Sequence, residues 1–194
     1  MRYTAEHKQE TRARILAAAA QLFRREGYEG AGISGLTEAA GVTNGAFYGH
    51  FKSKGDAFRT IVQLGLEQLR GGVASLKQQH GSRWLKRFVE FYLGTKRTCD
   101  LGQACALQSL SPEVMRAEEP IRAAYEEELR RLIDEVAGGL PHGKPGERQD
   151  AAIATLALLA GGVTLARAVA DPQLSERIAK AVSRAALELA PREP

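Results

Sequence analysis

The residues that could carry catalytic or metal chemistry do not fall into a recognisable pattern. The histidines lie far apart in the chain, without the spacing of a metal site or of a catalytic signature: His7, His50, His80 and His142. Neighbouring acids such as Glu118 and Glu119 fit solvated faces of helices. The sequence therefore contains no constellation that predicts catalysis.

Two glycine-rich stretches match nucleotide-binding loops only in part. Gly30, Gly32 and Gly35 have the spacing of a dinucleotide-binding fingerprint, and residues 138–145 nearly form a phosphate-binding loop. Both motifs need a preceding strand, whereas the sequence predicts a helix before each of them. We therefore expect no catalytic residues, no metal and no cofactor in a protein that is not an enzyme. An all-α enzyme whose residues converge only in space is the alternative.

The composition is that of an ordinary soluble globular protein, with 44% hydrophobic and 26% charged residues and a net charge of +4. Residues 1–60 hold nine Lys and Arg against six Asp and Glu. This basic end favours a polyanionic partner, although a solvated charged surface has the same composition. Two cysteines, Cys99 and Cys105, cannot build a disulfide framework, and no signal peptide is recognisable, so we expect a cytoplasmic protein.

Residues 33–51 have the pattern of two short helices joined by a tight turn. Leu36, Ala39 and Ala40 give the first helix a small apolar face, and Gly41 suits a helix end with positive φ. Thr43 can cap a second helix whose polar side chains are left outside. This pattern predicts a helix-turn-helix that places its second helix in the DNA major groove. An ordinary helix hairpin in an all-α core is the alternative.

Helices are predicted on both sides of this pair. Before it, apolar residues from Ile15 to Phe23 recur at helical spacing, and Gly27 ends that helix. After it, Ser53 and Asp56 form a capping-box pattern that begins a new helix. If the rest of the chain binds an effector, this helix is the continuous element through which we expect its signal to reach the predicted DNA-binding end.

The whole arrangement resembles the N-terminal domain of the tetracycline-repressor-like (TetR/AcrR) family of bacterial transcription regulators. The resemblance covers roughly residues 8–62 and is carried by Ile15 to Phe23, Gly27-Tyr28, Ala39-Ala40-Gly41-Val42, Phe47-Tyr48 and His50-Phe51-Lys52-Ser53-Lys54. The chain departs from the family at Ala31-Gly32, where Ser or Thr is usual, at Thr37, where alanine is usual, and at Asn44, where lysine is common.

The resemblance implies a regulator with a helix-turn-helix domain at residues 1–55 and a helical effector-binding and dimerisation domain at residues 56–194. Helix N-termini in this motif reach base edges, and an asparagine can contact adenine through two hydrogen bonds. By resemblance, the aromatic and basic residues after them hold phosphates. The predicted DNA-binding residues are Ser34, Thr43, Asn44, Gly45, Tyr48, His50, Lys52 and Lys54.

The rest of the chain shows no strand pattern, so the predicted class is all-α with about nine helices. An aromatic cluster in the fifth helix suggests an effector pocket between helices four to eight, because ligand pockets are mostly apolar with a few polar groups. Simple core packing is the alternative. The predicted effector-binding residues are Trp84, Phe88, Phe91, Tyr92, Cys105, Met115 and Tyr125.

A long apolar helix is predicted at about residues 148–170 and a last helix at about 173–189. Between Ala151 and Ala166 only two threonines are polar, and this stretch is too short for a membrane span. A helix that is apolar all round must be covered all round, so we expect a homodimer; a core helix of a monomer is the alternative. The predicted interface residues are Leu159, Gly161, Gly162, Ile178 and Val182.

The function that these patterns predict is that of a repressor that binds a palindromic DNA operator as a dimer and is released by a small hydrophobic effector. A thiol sensor that uses Cys105 or Cys99 in place of a bound effector is the alternative, although reactivity needs exposure and a lowered pKa.

Overall fold

The computed structural model describes residues 5–189 and is all-helical within that range, as predicted. Eight of its ten α-helical segments have at least eight residues, and the short segment after the fifth helix was not predicted. The helices are α1 (Ala5–Gly30), α2 (Ile33–Ala40), α3 (Asn44–Tyr48), α4 (Lys54–His80), α5 (Trp84–Leu93), α6 (Thr95–Thr98), α7 (Ala106–Val114), α8 (Glu119–Gly139), α9 (Pro145–Ala168) and α10 (Pro172–Glu188).

A first apolar core joins α1, α2 and α3 to the beginning of α4; we call these elements the headpiece. Ile15 and Phe23 on α1 are buried against Leu36 and Phe47 of the helix pair. Gly27 has φ 76° and ψ 176°, so it breaks the helix where the sequence predicted its end, and one further turn follows to Gly30. The apolar stripe predicted on α1 is therefore confirmed.

The inward face of α2 differs from the prediction. Ala39 is exposed, whereas Thr37 is buried together with Leu36 and Ala40. Positions three and four apart share a helix face, so residues 36, 37 and 40 point the same way. The threonine can be buried because its hydroxyl finds hydrogen-bond partners there. The prediction that Ala39 belongs to this face is wrong.

A second core lies in the rest of the molecule, which we call the body. Helix α4 packs along α8, and α9 lies between α8 and α10. Trp84, Phe88 and Tyr92 are buried on one side of α5. The Trp84 indole nitrogen donates a hydrogen bond to the Gly139 carbonyl at 2.9 Å, which ties α5 to the end of α8.

Helix α4 belongs to both cores, with Phe58 and Ile61 in the first and Leu66 and Val73 in the second. Helix α7 also packs on the headpiece through Leu110 and its neighbours. The predicted domain boundary at residue 55 falls at the start of α4 and stays a prediction. Residues 1–4 and 190–194 of the two predicted domains lie outside the described residues.

Helix α9 is, among the described residues, the one helix whose length and composition would allow it to cross a membrane. Its surroundings are those of a core helix, because it contacts α5, α6, α7, α8 and α10. Leu159 is 0% exposed, and a Cβ atom at Gly162 would lie 2.7 Å from a Val182 methyl group of the same chain. The predicted interface places of Leu159 and Gly162 are therefore corrected, since both residues are covered by their own subunit.

The other side of α9 is open and apolar. Gly161 is exposed, as are Ile153, Ala157 and Leu165, which recur four residues apart on one face. The two predicted interface residues on α10, Ile178 and Val182, are half-buried.

Candidate nucleic-acid interface and effector cavity

The turn between α2 and α3 is fixed by caps on both helices. Gly41 has φ 63° and ψ 41°, the left-handed conformation that favours glycine. The Val42 N–H donates to the Thr37 carbonyl at 2.9 Å, and the Thr43 hydroxyl accepts from the Ala46 N–H at 3.2 Å. Both predicted caps are confirmed, and they set the angle between the two helices of the motif.

The second helix of the motif presents its first turn to solvent. Thr43, Asn44 and Gly45 are exposed, and Tyr48 is 56% exposed while its neighbour Phe47 is buried. Ser34 at the start of α2 is exposed as well. These predicted DNA-binding residues are therefore accessible to a duplex, and their contacts with DNA stay predictions.

Asn44 is held in place by a residue that the sequence analysis had not assigned to the site. The Thr37 hydroxyl lies 2.8 Å from the Asn44 side-chain oxygen and 3.1 Å from the Ile33 and Ser34 carbonyl oxygens of its own helix. Its one hydrogen is best donated to the nearest acceptor, Asn44, which joins α2 to the first turn of α3. The oxygen keeps a second lone pair, and the amide NH₂ keeps both hydrogens. Thr37 therefore orients the Asn44 amide in the absence of DNA. The sequence signal that could have identified Thr37 was its departure from alanine, the usual residue of the family at this position.

His50 lies beside the basic start of α1. Burial, and then the positive charges of Lys8 and Arg12, lower the pKa of His50 below its ordinary value. A neutral imidazole can donate a hydrogen bond to a phosphate but brings no charge. The charge at this place comes from Lys8 and Arg12, which the sequence analysis did not include. Their spacing of four residues, on a helix packed against the motif, was the signal that could have found them.

The two predicted phosphate-binding lysines have different surroundings. Lys52 is exposed, and its backbone N–H donates to the Asp56 carboxylate at 3.1 Å. The Lys54 ammonium donates to the Tyr28 carbonyl at 2.8 Å and lies 4.2 Å from the centroid of the Tyr28 ring. A phosphate contact by Lys54 would compete with these bonds, so Lys52 is the better placed of the two.

A cavity of about 600 Å³ lies between α1, α4, α5 and the segment from α6 to the start of α7. Of the predicted effector-binding residues, Phe88, Phe91 and Cys105 line it. Its size is within the range of small-molecule pockets. The sequence analysis missed Arg24 and Lys96, the two cations in its wall.

The remaining predicted effector residues lie elsewhere. Trp84 and Tyr92 are buried in the body core, and neither lines the cavity. Met115 is 72% exposed and, with Tyr125, lines a separate apolar groove of about 460 Å³ between α7, α8 and α9. The structure therefore divides the predicted set among one cavity, one groove and the core.

Comparison with known proteins identifies the headpiece. Residues 15–61 match the family described as bacterial regulatory proteins, tetR family. This part of the chain is therefore similar to the TetR family. The predicted resemblance is thereby confirmed, including the helix-turn-helix whose geometry is described above.

Curated relatives extend the likeness beyond the headpiece. The regulator AcrR of Shigella flexneri is 44% identical over 63 residues, which are 32% of this chain and 29% of AcrR. The repressor NemR of Escherichia coli strain K12 is 28% identical over 138 residues, or 70% of this chain and 69% of NemR. The chain thus spans less than a third of the length of AcrR. A TetR-family regulator from Agrobacterium tumefaciens shares the fold, with a TM-score of 0.78 at 20% identity, over 95% of this chain and all of the other.

The two cysteines of the chain lie close to basic groups but differ in exposure. Cys105 is buried at the start of α7, and burial raises the pKa of its thiol. The Tyr92 hydroxyl beside it is also buried, which raises the pKa of Tyr92 as well. Cys99 is half-buried, with its sulfur 3.8 Å from a guanidinium nitrogen of Arg167. Because its pKa is raised, the Cys105 thiol is in its neutral form near neutral pH.

Proposed function

We propose that this chain is a cytoplasmic transcriptional repressor of the TetR family that binds a palindromic operator as a homodimer and dissociates when a small hydrophobic effector occupies its body. The observation that carries the proposal is the exposed first turn of α3, which is capped by Thr43 and belongs to a headpiece with its own apolar core. The name of the relative NemR, a repressor, supports the direction of regulation. Two basic patches, at Lys52 and at the start of α1, supply charge for phosphates.

The test separates phosphate contacts from base contacts. Lys52→Ala should weaken binding to every duplex by a similar factor and reduce the salt slope by about one unit, because one phosphate contact is lost. Asn44→Ala should instead relax sequence preference. Lys86→Ala is the control, since Lys86 is a surface lysine of α5 with a side chain 66% exposed. Affinity and salt slope that stay unchanged in Lys52→Ala would contradict the phosphate assignment.

For the dimer, we propose the open face of α9 that carries Ile153, Ala157, Gly161 and Leu165, together with the half-buried Ile178 and Val182 of α10. Two headpieces joined in this way would address half-sites about one helical turn, ~34 Å, apart. Symmetric dimers accordingly recognise palindromic operators.

Leu165→Glu tests this interface, because Leu165 is 60% exposed in the single chain and would carry a charge into the apolar contact. Sedimentation should show a dimer for the wild type and a monomer for Leu165→Glu. The control is Leu64→Glu, the same substitution at an exposed position of α4. A wild-type protein that sediments as a monomer at micromolar concentration would refute the proposal.

Thiol sensing is the second candidate, and it is supported by the place of Cys105 in the wall of the 600 Å³ cavity. The raised pKa of Cys105 weakens this candidate, because the thiolate is the reactive form. Operator release under mild oxidant by the wild type, but not by Cys105→Ser, would favour it over the effector mechanism.

A further inference from the structure

We propose that the cavity between α1, α4 and α5 binds an apolar monocarboxylate and that the Arg24 guanidinium binds its carboxylate group. The proposal rests on the proposed function, since it names the chemical class of the effector. It departs from the prediction of a merely hydrophobic ligand.

Arg24 is a cation without an acidic partner. One guanidinium nitrogen donates to the Ala20 carbonyl of the same helix at 3.0 Å, while the Nε atom is buried and has no hydrogen-bond partner. Among residues 5–189 no Asp or Glu forms an ion pair with Arg24, whereas its neighbour Arg25 pairs with Asp100 at 2.7 Å. Burial also lowers the pKa of Arg24. Because Arg24 is half-buried and has no acidic partner, an anion in the cavity would stabilise its charge.

The lining of the cavity differs in chemical character between its two ends. The Arg24 guanidinium approaches Gly65, where a Cβ atom would lie 3.5 Å from its Nη2 atom. Further along α4 the lining is mainly apolar, with Leu69, Val73 and Leu76 together with Phe88 of α5. Gln68 and Ser75 are its polar members on α4. Leu76 lies eleven residues beyond Gly65 on α4, a rise of about 16 Å. The space therefore runs from a cationic end to an apolar end.

The charges of the lining select for acids over neutral molecules. The part of the wall that the structure describes contains Arg24 and Lys96 but no Asp or Glu. The Lys96 ammonium donates one of its three hydrogens to the Gln103 carbonyl at 3.0 Å, and Arg24 adds guanidinium nitrogens that have no acidic partner among the described residues. A planar guanidinium fork matches a carboxylate through two parallel hydrogen bonds. One such cation and long apolar walls fit a monoanion with a hydrocarbon or aromatic body.

The position of Arg24 also brings the ligand into direct contact with the headpiece. Arg24 lies on α1, twelve residues or about 18 Å along the helix from Arg12, which lies beside His50. A carboxylate that binds Arg24 therefore acts on the helix that carries the basic end of the DNA-binding surface. By reciprocity, operator DNA should weaken binding of the acid.

Calorimetric titration of the intact protein tests the proposal with octanoate, decanoate, dodecanoate and 2-naphthoate, each paired with the primary amide of the same skeleton. We expect at least one carboxylate to bind the wild type more tightly than its amide. Arg24→Gln should weaken that carboxylate by about 10- to 150-fold, the usual value of a charged hydrogen bond, and leave the amide unchanged. Arg24→Lys should retain part of the preference, and Arg25→Gln should retain all of it.

Two results would overturn the proposal: no carboxylate binds better than its amide, or Arg24→Gln binds the acid as tightly as the wild type does. The comparison of acid and amide needs no variant, so it holds even if Arg24→Gln unfolds. Operator binding by the wild type, measured in parallel, distinguishes a failure of this ligand proposal from a failure of the proposed repressor function. DNA binding without a preference for acids refutes the ligand class alone, while a preference for acids without DNA binding refutes the proposed regulator and leaves the site intact.

Discussion

Replacing Thr37 with valine tests whether a residue of α2 influences the DNA sequence preference by orienting Asn44 at the start of α3. Thr37 is 4% exposed, and valine has nearly the same shape, so the substitution creates no cavity. It removes the 2.8 Å hydrogen bond to the Asn44 side chain. Because Asn44 is exposed, water can satisfy its oxygen in the variant. We therefore expect the free energy of unfolding to fall by only about 0.5–1.5 kcal/mol.

The larger consequence concerns DNA binding. In the wild type the Asn44 amide is already oriented, whereas in Thr37→Val it must be ordered when the duplex binds. Immobilising one such side chain costs about 0.5–1.5 kcal/mol. This predicts an operator affinity lower by roughly 2- to 12-fold. Binding to an unrelated duplex depends on phosphates and should not change, so the ratio of the two affinities should fall by the same factor.

Fluorescence anisotropy provides the assay, with an operator selected by the wild-type protein from a random duplex library and a scrambled duplex of equal length. Thr11→Val is the control, because Thr11 is also buried but its hydroxyl donates to the His7 carbonyl of its own helix, at 2.9 Å. The Thr11→Val variant should be less stable than the wild type and should keep its preference for the operator over the scrambled duplex. The double variant Thr37→Val/Asn44→Ala should discriminate no worse than Asn44→Ala alone. A folded Thr37→Val with unchanged affinity ratio refutes the reasoning.

Two further predictions concern stability and pH. Gly139→Ala should lower the free energy of unfolding by about 1–3 kcal/mol, because its Cβ would lie 2.7 Å from the Trp84 ring, while Gly138→Ala, with no atom within 4 Å, should be neutral or stabilising in the same thermal melts. The lowered pKa of His50 means that its neutral form is favoured in the free protein, so its contribution to stability is present above the ordinary His pKa and is lost as the pH falls. Phosphates favour the protonated form, so operator affinity should rise over the same fall in pH, and an equal rise in His50→Gln would contradict this.

The local elements of the DNA-binding surface could be predicted from the sequence because their signals are short-range. Gly41 and Thr43 are recognisable as caps wherever they stand, since each acts on backbone groups within a few residues. The inward turn of Thr37 could not be predicted in this way. Its inward orientation places the hydroxyl beside Asn44, seven residues away on another helix, and helical spacing alone does not show that contact.

The body was harder to predict because its signals are long-range. Helix α9 is apolar on every side, so periodicity could not tell which face meets its own chain and which is left open; Leu159 and Leu165 look alike in the sequence. Arg24 was equally hidden. Its neighbour Arg25 has the same side chain, and only the approach of α4 at Gly65 decides which of the two faces the cavity.

The contacts between headpiece and body add a second route to the one predicted through α4. The Arg25 guanidinium pairs with Asp100 at 2.7 Å, and the Tyr28 N–H donates to the Glu113 carboxylate at 3.0 Å. Both bonds join α1 to the segment between α6 and the end of α7, and Cys105 in that segment lines the cavity. A ligand bound there would touch α1 through Arg24 and the segment paired with α1 through Cys105, so its binding would change their separation. Helix α4 alone would tilt the headpiece as a whole, whereas this route moves the helix that bears Lys8 and Arg12 relative to it.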